Sequence, residues 1–303
     1  MGRSIAACLL AAGHEVVCIV RDLSKKESAK EKISGQLAQL SDEHLLSGEP
    51  SQVITALTIT NDYNALNGAE LVLESVTEDL DSKKKIFADI EQVVSPAAII
   101  GSNTSAIPVS ILQHGLQHPE RLLGIHWGEP AHIIRFMEII CGEKSDPAYA
   151  YRVKEMAESW GKEPSVLLKD IRGFITNRLM YALLREACFL VENGYATYED
   201  IDRACRNDMG SWITFAGPFR FMDLTGVPAY LTVAEGLFPE LDNSKEPPAF
   251  FRKVIENGAK GVSNANGFYE YSEESAEKWE QLFNEFSYDI RKLSEKYSEK
   301  IKG

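Results

Sequence analysis

Three short strings hold the residues best suited to chemistry: Ser102-Asn103-Thr104-Ser105, Gly124-Ile125-His126-Trp127 and Phe136-Met137-Glu138-Ile139. Histidine titrates near neutrality, so His126 can take or give a proton at a reacting atom. Glu138 can orient the imidazole and stabilise its charged form, the base-plus-orienter logic of catalytic His–carboxylate pairs. Ser102 and His126 each close an apolar run that reads as a strand, and ligands of a parallel sheet sit at that carboxyl edge. A lone histidine is more often structural, and His14, His114, His118 and His132 are read that way. A hydrolase built on Ser105 and His126 is disfavoured, because the strained Gly-x-Ser-x-Gly turn is missing and nothing marks an oxyanion hole. No His or Cys cluster has ligand spacing, so no metal is expected.

The elements that must position these residues alternate between strand and helix. Residues 2–10 form an apolar-periodic helix, with Ile5, Ala6, Leu9 and Leu10 on one side and Gly13 as its stop. The β-branched run at 15–20 predicts a buried strand. A polar helix over 23–46 follows, then strands at 53–59, 70–75, 98–102, 122–126, 135–140 and 165–169, with helices at 81–94 and 147–160. Such interleaving predicts an α/β fold, a Rossmann-type, doubly wound, mostly parallel sheet. From Asp170 the character changes. Residues 174–193 make a long helix stopped by Gly194, Thr197 caps the next with Asp200 in a partial capping box, and no strand follows. Two domains are therefore predicted, 1–169 and an all-helical 170–303. Along the last helix, 273–302, the stripe Trp279, Leu282, Phe286, Ile290, Leu293, Tyr297 reads as a packing face, with a dimer seam as the second reading.

The 303 residues suffice for two ordinary domains, and 44% hydrophobic with 25% charged residues is a globular composition. Apolar stretches break well before the ~18 residues of a membrane span. No export signal precedes them, so no membrane partner is expected. The five scattered cysteines contain no C-x-x-C pair and predict reduced thiols in the cytoplasm. A net charge of −13 argues against nucleic acid as the main partner.

A dinucleotide fold opens strand, Gly-x-Gly-x-x-Gly, helix, strand, acid. Here Gly2 stands where the third glycine would, followed by the helix, the Gly13 turn and the strand at 15–20. The first strand and the two earlier glycines are missing from the sequence as it stands. That strand is central in the doubly wound order, and each buried unpaired peptide group costs about 1–3 kcal/mol against a total stability of about 5–15 kcal/mol. The expectation is a start assigned too late; the alternative is a chain that no longer binds cofactor. The acid that would bind the adenosine ribose is replaced by Val20, followed by Arg21 and Asp22. Arg21 could pair with a 2′-phosphate, which favours NADP, whereas Asp22 could serve in the acid's place, which favours NAD.

Ser-Asn-Thr-Ser at 102–105, Pro-Glu-Arg-Leu-Leu-Gly-Ile-His at 119–126, Met-Glu-Ile-Ile at 137–140 and Arg-Gly-Phe-Ile-Thr-Asn-Arg-Leu at 172–179 together resemble the L-3-hydroxyacyl-CoA dehydrogenase family. Gly217-Pro218-Phe219 with Asp223, and Asn266-Gly267-Phe268-Tyr269, are similar to its C-terminal domain. The resemblance implies NAD(P)-dependent hydride transfer with a small-molecule substrate. It gives Ser105 a hydrogen bond to the substrate hydroxyl, His126 its proton, Glu138 the holding of His126, and Asn177 the positioning of the substrate oxygen across the domain cleft. Glu78, Lys83 and Asn103 match positions lining the nicotinamide half of the cofactor. The family's helical domain commonly makes a homodimer.

Two departures narrow the substrate. Family members read His-Phe-Phe-Asn-Pro where this chain reads His126-Trp127-Gly128-Glu129-Pro130. An ionised Glu129 only accepts hydrogen bonds, so it would repel an anion and welcome a cation or a polar donor if it faced the substrate; otherwise it faces solvent. The Trp127 and Pro130–Ile134 pattern resembles a side branch that oxidises a pyridine-ring aldehyde in vitamin B6 degradation, with carnitine dehydrogenases as further relatives. The substrate is expected to be a small β-hydroxy acid or its CoA ester, with an aromatic aldehyde or a cationic hydroxy acid as the alternative. A non-catalytic relative, as in a lens crystallin, is the competing class; the presence of Ser105, His126, Glu138 and Asn177 argues for the enzyme.

Overall fold

The computed structural model describes residues 1–302, except for the side chains of residues 273, 280 and 298–302. It divides into two compact units, residues 1–178 and residues 179 onward.

The first unit runs α1 (Gly2–Ala11), β1 (Val16–Ile19), α2 (Lys26–Asp42), α3 (Pro50–Val53), β2 (Leu57–Thr60), β3 (Leu71–Glu74), α4 (Leu80–Glu91), β4 (Ile99–Ser102), α5 (Val109–Leu112), β5 (Leu122–Trp127), β6 (Phe136–Cys141), α6 (Pro147–Ser159) and β7 (Glu163–Leu167). The strands form a parallel pair, β1-β2, and a five-stranded sheet in the order β3-β4-β5-β6-β7. Within the larger sheet every pairing is parallel except β5 with β6.

Period-two alternation sends neighbouring strand residues to opposite faces. Ile99, Leu123 and Ile139 pack with Ile5 and Cys8 of α1 and with Ala150, Val153 and Ala157 of α6. Their neighbours Ile100, Leu122 and Ile140 pack with Phe87 and Ile90 of α4 and with Val109 and Leu112 of α5. The other stripe of α1, Ala6, Ala7 and Leu10, meets Ile33, Leu37 and Leu40 of α2. The result is helix layers on both faces of the sheet. Gly101 is required in β4, because an added Cβ would lie 2.5 Å from Ile125 and 2.8 Å from Leu73.

The helix at 2–10, its end before Gly13 and most strands fall where the sequence puts them. The strand expected at 53–59 forms only from Leu57; Pro50 starts α3 instead, and Val53 and Ile54 pack against the α1–α2 cluster as helix residues. The first unit also continues to Arg178 rather than ending at residue 169. The reason is Phe174, which is buried among Phe87, Ile100 and Ile140.

α7 (Thr176–Glu192) begins at the end of the first unit. The second unit continues with α8 (Tyr198–Ala204), α9 (Gly210–Phe215), α10 (Gly217–Thr225), α11 (Val227–Leu237), α12 (Ala249–Glu256) and α13 (Glu273–Lys302). Thr197 Oγ1 accepts from the Asp200 N–H and donates to its carboxylate, the cap read from the sequence. Among the described residues this unit has no strand, only isolated bridges at Gly261, Asn266 and Glu270.

Candidate active site

His126 and Glu138 are direct cross-strand partners in the antiparallel β5–β6 pair, so both side chains leave one face of the sheet. Their contact, 2.9 Å from Nδ1 to Oε2, follows from register. Glu138 is buried, and its other oxygen accepts the backbone N–H groups of Ile175 (2.9 Å) and Thr176 (3.0 Å). Gly173 and Phe174 both adopt left-handed backbone, at φ 82° and 50°, and this turn aims the two amides at the carboxylate. Burial pushes the Glu138 pKa up, but hydrogen bonds from His126, Thr176 and Ile175 outweigh it and hold the carboxyl below its ordinary range. An ionised carboxylate accepts only, so Nδ1 carries the proton and Nε2 is left with its lone pair. Phe136 and Phe174 wall the imidazole at ring distances of 5.5 and 5.8 Å.

The ends of β3 and β4 build the second part. Glu74 and Ser102 close these strands in register, and the Ser102 hydroxyl donates to Glu74 at 2.6 Å. Lys83, fully buried on α4, donates to both Glu74 oxygens at 2.8 and 2.9 Å and lies 3.3 Å from Glu78. Removing one member of such a buried pair costs on the order of 3–5 kcal/mol. Glu78 Oε1 accepts from the Thr104 hydroxyl and from the N–H groups of Ser105 (3.0 Å) and Ala106 (3.1 Å). Partial burial raises the Glu78 pKa, yet Thr104 and Lys83 bring it below the ordinary value. Asn103 Oδ1 accepts from the Trp127 N–H at 2.9 Å, tying the loop after β4 to the end of β5. Asn177 Nδ2 donates to the Ser105 carbonyl at 2.9 Å.

The structure thus brings together His126, Glu138, Ser105, Asn177, Glu78, Lys83 and Asn103. Gly2 starts α1 beside the end of β3, but an added Cβ would lie 3.6 Å from Ser75, an ordinary contact, so close packing does not demand glycine there. Arg21 lies apart, exposed just after β1. The neighbouring Asp22 accepts from the Ser24 N–H and hydroxyl, which lowers its pKa and makes it a cap. Glu129, whose side chain is 69% exposed, is the solvent-facing case of the two expected. Sequence reasoning missed Glu74, Thr104 and Phe174. An acid ending the apolar run Leu71-Val72-Leu73, nine residues before a lysine on the next helix, is the signal that could have found Glu74.

The sequence matches the family model "3-hydroxyacyl-CoA dehydrogenase, NAD binding domain" over residues 1–171 and "3-hydroxyacyl-CoA dehydrogenase, C-terminal domain" over residues 173–271. It is 33% identical over 275 residues to the 5-formyl-3-hydroxy-2-methylpyridine 4-carboxylate 5-dehydrogenase of Mesorhizobium japonicum, covering 90% of this chain and 88% of that one. It is 31% identical over 274 residues to the 3-hydroxybutyryl-CoA dehydrogenase of Mycobacterium tuberculosis, covering 89% and 95%. A crystal structure of the former kind of enzyme, described as an NAD+ dependent dismutase, aligns with a TM-score of 0.90 at 30% identity over 97% of this chain and 95% of that one. With these similarities across both units and a His–Glu pair at the sheet edge, the chain belongs to the 3-hydroxyacyl-CoA dehydrogenase family of NAD-dependent oxidoreductases.

Proposed function

We propose that the protein moves a hydride between NAD and the hydroxyl-bearing carbon of a small β-hydroxy acid or its CoA ester. The observation that carries this reading is the His126–Glu138 pair, with Nδ1 committed to the carboxylate and Nε2 left to take the hydroxyl proton. Ser105 faces the substrate oxygen with its hydroxyl. Asn177, which fixes the Ser105 carbonyl, brings its amide to the same place.

The residues present fit the cofactor. α1 starts without a side-chain cap or an acid in its first turn, and the first amide engaged along it is that of Ser4. The free N–H groups of Gly2 and Arg3 suit a pyrophosphate. Glu78 and Asn103 stand at the nicotinamide end, with the fully buried Lys83 acting on it through Glu78. NAD supplies the hydride acceptor; the side chains bind, orient and move the proton. Arg21 gives room for NADP as well. Arg21→Ala should weaken NADPH binding several-fold more than NADH binding, and equal effects on both would remove the case for NADP.

A second reading, oxidation of a small aromatic aldehyde, is favoured by the 0.90 TM-score over 97% of the chain. The deciding assay supplies NADH with acetoacetyl-CoA and, in parallel, NAD with a pyridine carboxaldehyde. Turnover of the thioester alone supports the first reading, turnover of the aldehyde alone the second, and neither at saturating cofactor overturns both.

We propose also a homodimer through the helical unit. No residue of α7 to α12 is buried, and Phe219 is 79% exposed. Light scattering should give twice the chain mass, and Phe219→Glu should shift it toward the monomer. The free thiols of all five cysteines suit a reducing, cytoplasmic setting.

A further inference from the structure

Ser105 sits on an exposed loop, yet a serine that must meet a substrate oxygen needs a fixed place. Among the described residues its hydroxyl has no partner, so the side chain does not fix itself. Its backbone is held instead, the N–H by Glu78 at 3.0 Å and the carbonyl by Asn177 at 2.9 Å. Thr104, one residue earlier, is fully buried. Its hydroxyl donates to Glu78 Oε1 at 2.5 Å and accepts from the N–H groups of Ile107 (2.9 Å) and Ala106 (3.4 Å). Glu78 is in turn anchored to the interior through Lys83 and the buried Glu74. A chain of charge-assisted contacts therefore runs from the core to the loop, and Thr104 is the link that turns the loop at Ser105.

We propose that Thr104 is a positioning residue for Ser105: with Glu78 it forms a clamp that sets where the Ser105 hydroxyl stands during hydride transfer. This rests on the reading of Ser105 as the substrate-facing hydroxyl. Valine has the shape of threonine without the hydroxyl, so Thr104→Val removes the clamp and leaves the side-chain volume. Serine keeps the hydroxyl, and Thr104→Ser should retain the function.

The test is a double-mutant cycle on the full chain, measuring kcat, KM and NADH affinity for Thr104→Val, Thr104→Ser, Ser105→Ala and the double variant, on the substrate identified by the assays above. Small misplacements of a catalytic group are costly, up to ~10²-fold per ångström, so Thr104→Val should lower kcat about tenfold. KM and NADH affinity should stay within about twofold, and Thr104→Ser should restore kcat. In the Ser105→Ala background Thr104→Val should cause no further loss, because two groups acting as one unit are not additive. Should valine not be accommodated, Thr104→Ala runs the same cycle. An equal loss in both backgrounds, or no loss in either, overturns the proposal. Unchanged kcat in Ser105→Ala alone strikes the reading beneath it and the proposal together, and that result is recognised without any Thr104 variant.

Discussion

The two units bury their apolar residues to very different degrees. In the first, Phe87, Ile99, Ile100 and Leu122 are essentially withdrawn from solvent, and three clusters fill both faces of the sheet. In the second, α7 to α12 hold no buried residue, and Leu179, Phe219, Leu231 and Phe238 are each exposed. A close-packed interior holds side chains at fixed distances, as the His126–Glu138 and Glu78–loop contacts require. Exposed apolar side chains of this size are what the proposed dimer would cover. The proposed chemistry thus rests on the first unit, and assembly is the proposed role of the second.

The largest expected effect tests where the chemistry lies. His126→Ala should lower turnover by about 10²–10⁴-fold, as loss of a general base does, with NADH binding unchanged and the melting temperature lowered because the buried Glu138 loses a partner. Turnover at the wild-type rate would break the assignment of chemistry to this sheet edge.

The next separates the two kinds of packing. Phe87→Ala should cost about 3–5 kcal/mol at any protein concentration, because it empties a filled core. Leu231→Ala should instead cost an amount that depends on protein concentration, since what it weakens is association. Denaturant unfolding at two concentrations a hundredfold apart reads both. A concentration-independent cost at Leu231 would mean that the helical unit is complete on its own.

The sheet and the dyad were legible in the sequence because they rest on local signals. β-branched runs between turn residues mark strands, and His126 and Glu138 each sit within such a run. Their antiparallel register was not legible, since it depends on how the segment from Gly128 to Arg135 returns the chain. The buried Glu74 was hidden by its type, because an acid at a strand end reads as solvated until Lys83 is seen beneath it. Val53 misled for the opposite reason. It belongs to an apolar run, but Pro50 sets a helical start that overrides β propensity. Phe174 read as an ordinary helix residue, and only its left-handed backbone shows that the helix begins two residues later, at Thr176.

Buried charge divides the molecule in the same way as apolar burial. Glu74, Lys83, Arg121, His126 and Glu138 are all buried in the first unit, and the described residues of the second bury no ionisable side chain except Tyr288. Acid should therefore act first on the unit that holds the His126–Glu138 pair. Glu138 gives the smallest and sharpest test. Its folded pKa is depressed below the ordinary 4.5, with burial opposed and outweighed by the hydrogen bonds from His126, Thr176 and Ile175. A depressed carboxyl contributes stability that is present above its unfolded value and is lost as pH falls through its folded one. Glu138→Gln keeps an oxygen for the two amides but cannot ionise, so it should be less stable than the wild type at neutral pH by about 1–3 kcal/mol, the worth of hydrogen bonds to a charged group. That gap should narrow steadily as the solution is taken below pH 4.5, because the wild type then loses the same charge. A gap that stays constant with pH would show that the folded carboxyl titrates at its unfolded value, and a gap that widens as pH falls would show that Glu138 is neutral in the folded protein. His126 Nδ1 would then be free of the carboxylate that selects its tautomer, and the base would have to be sought elsewhere on the same sheet edge.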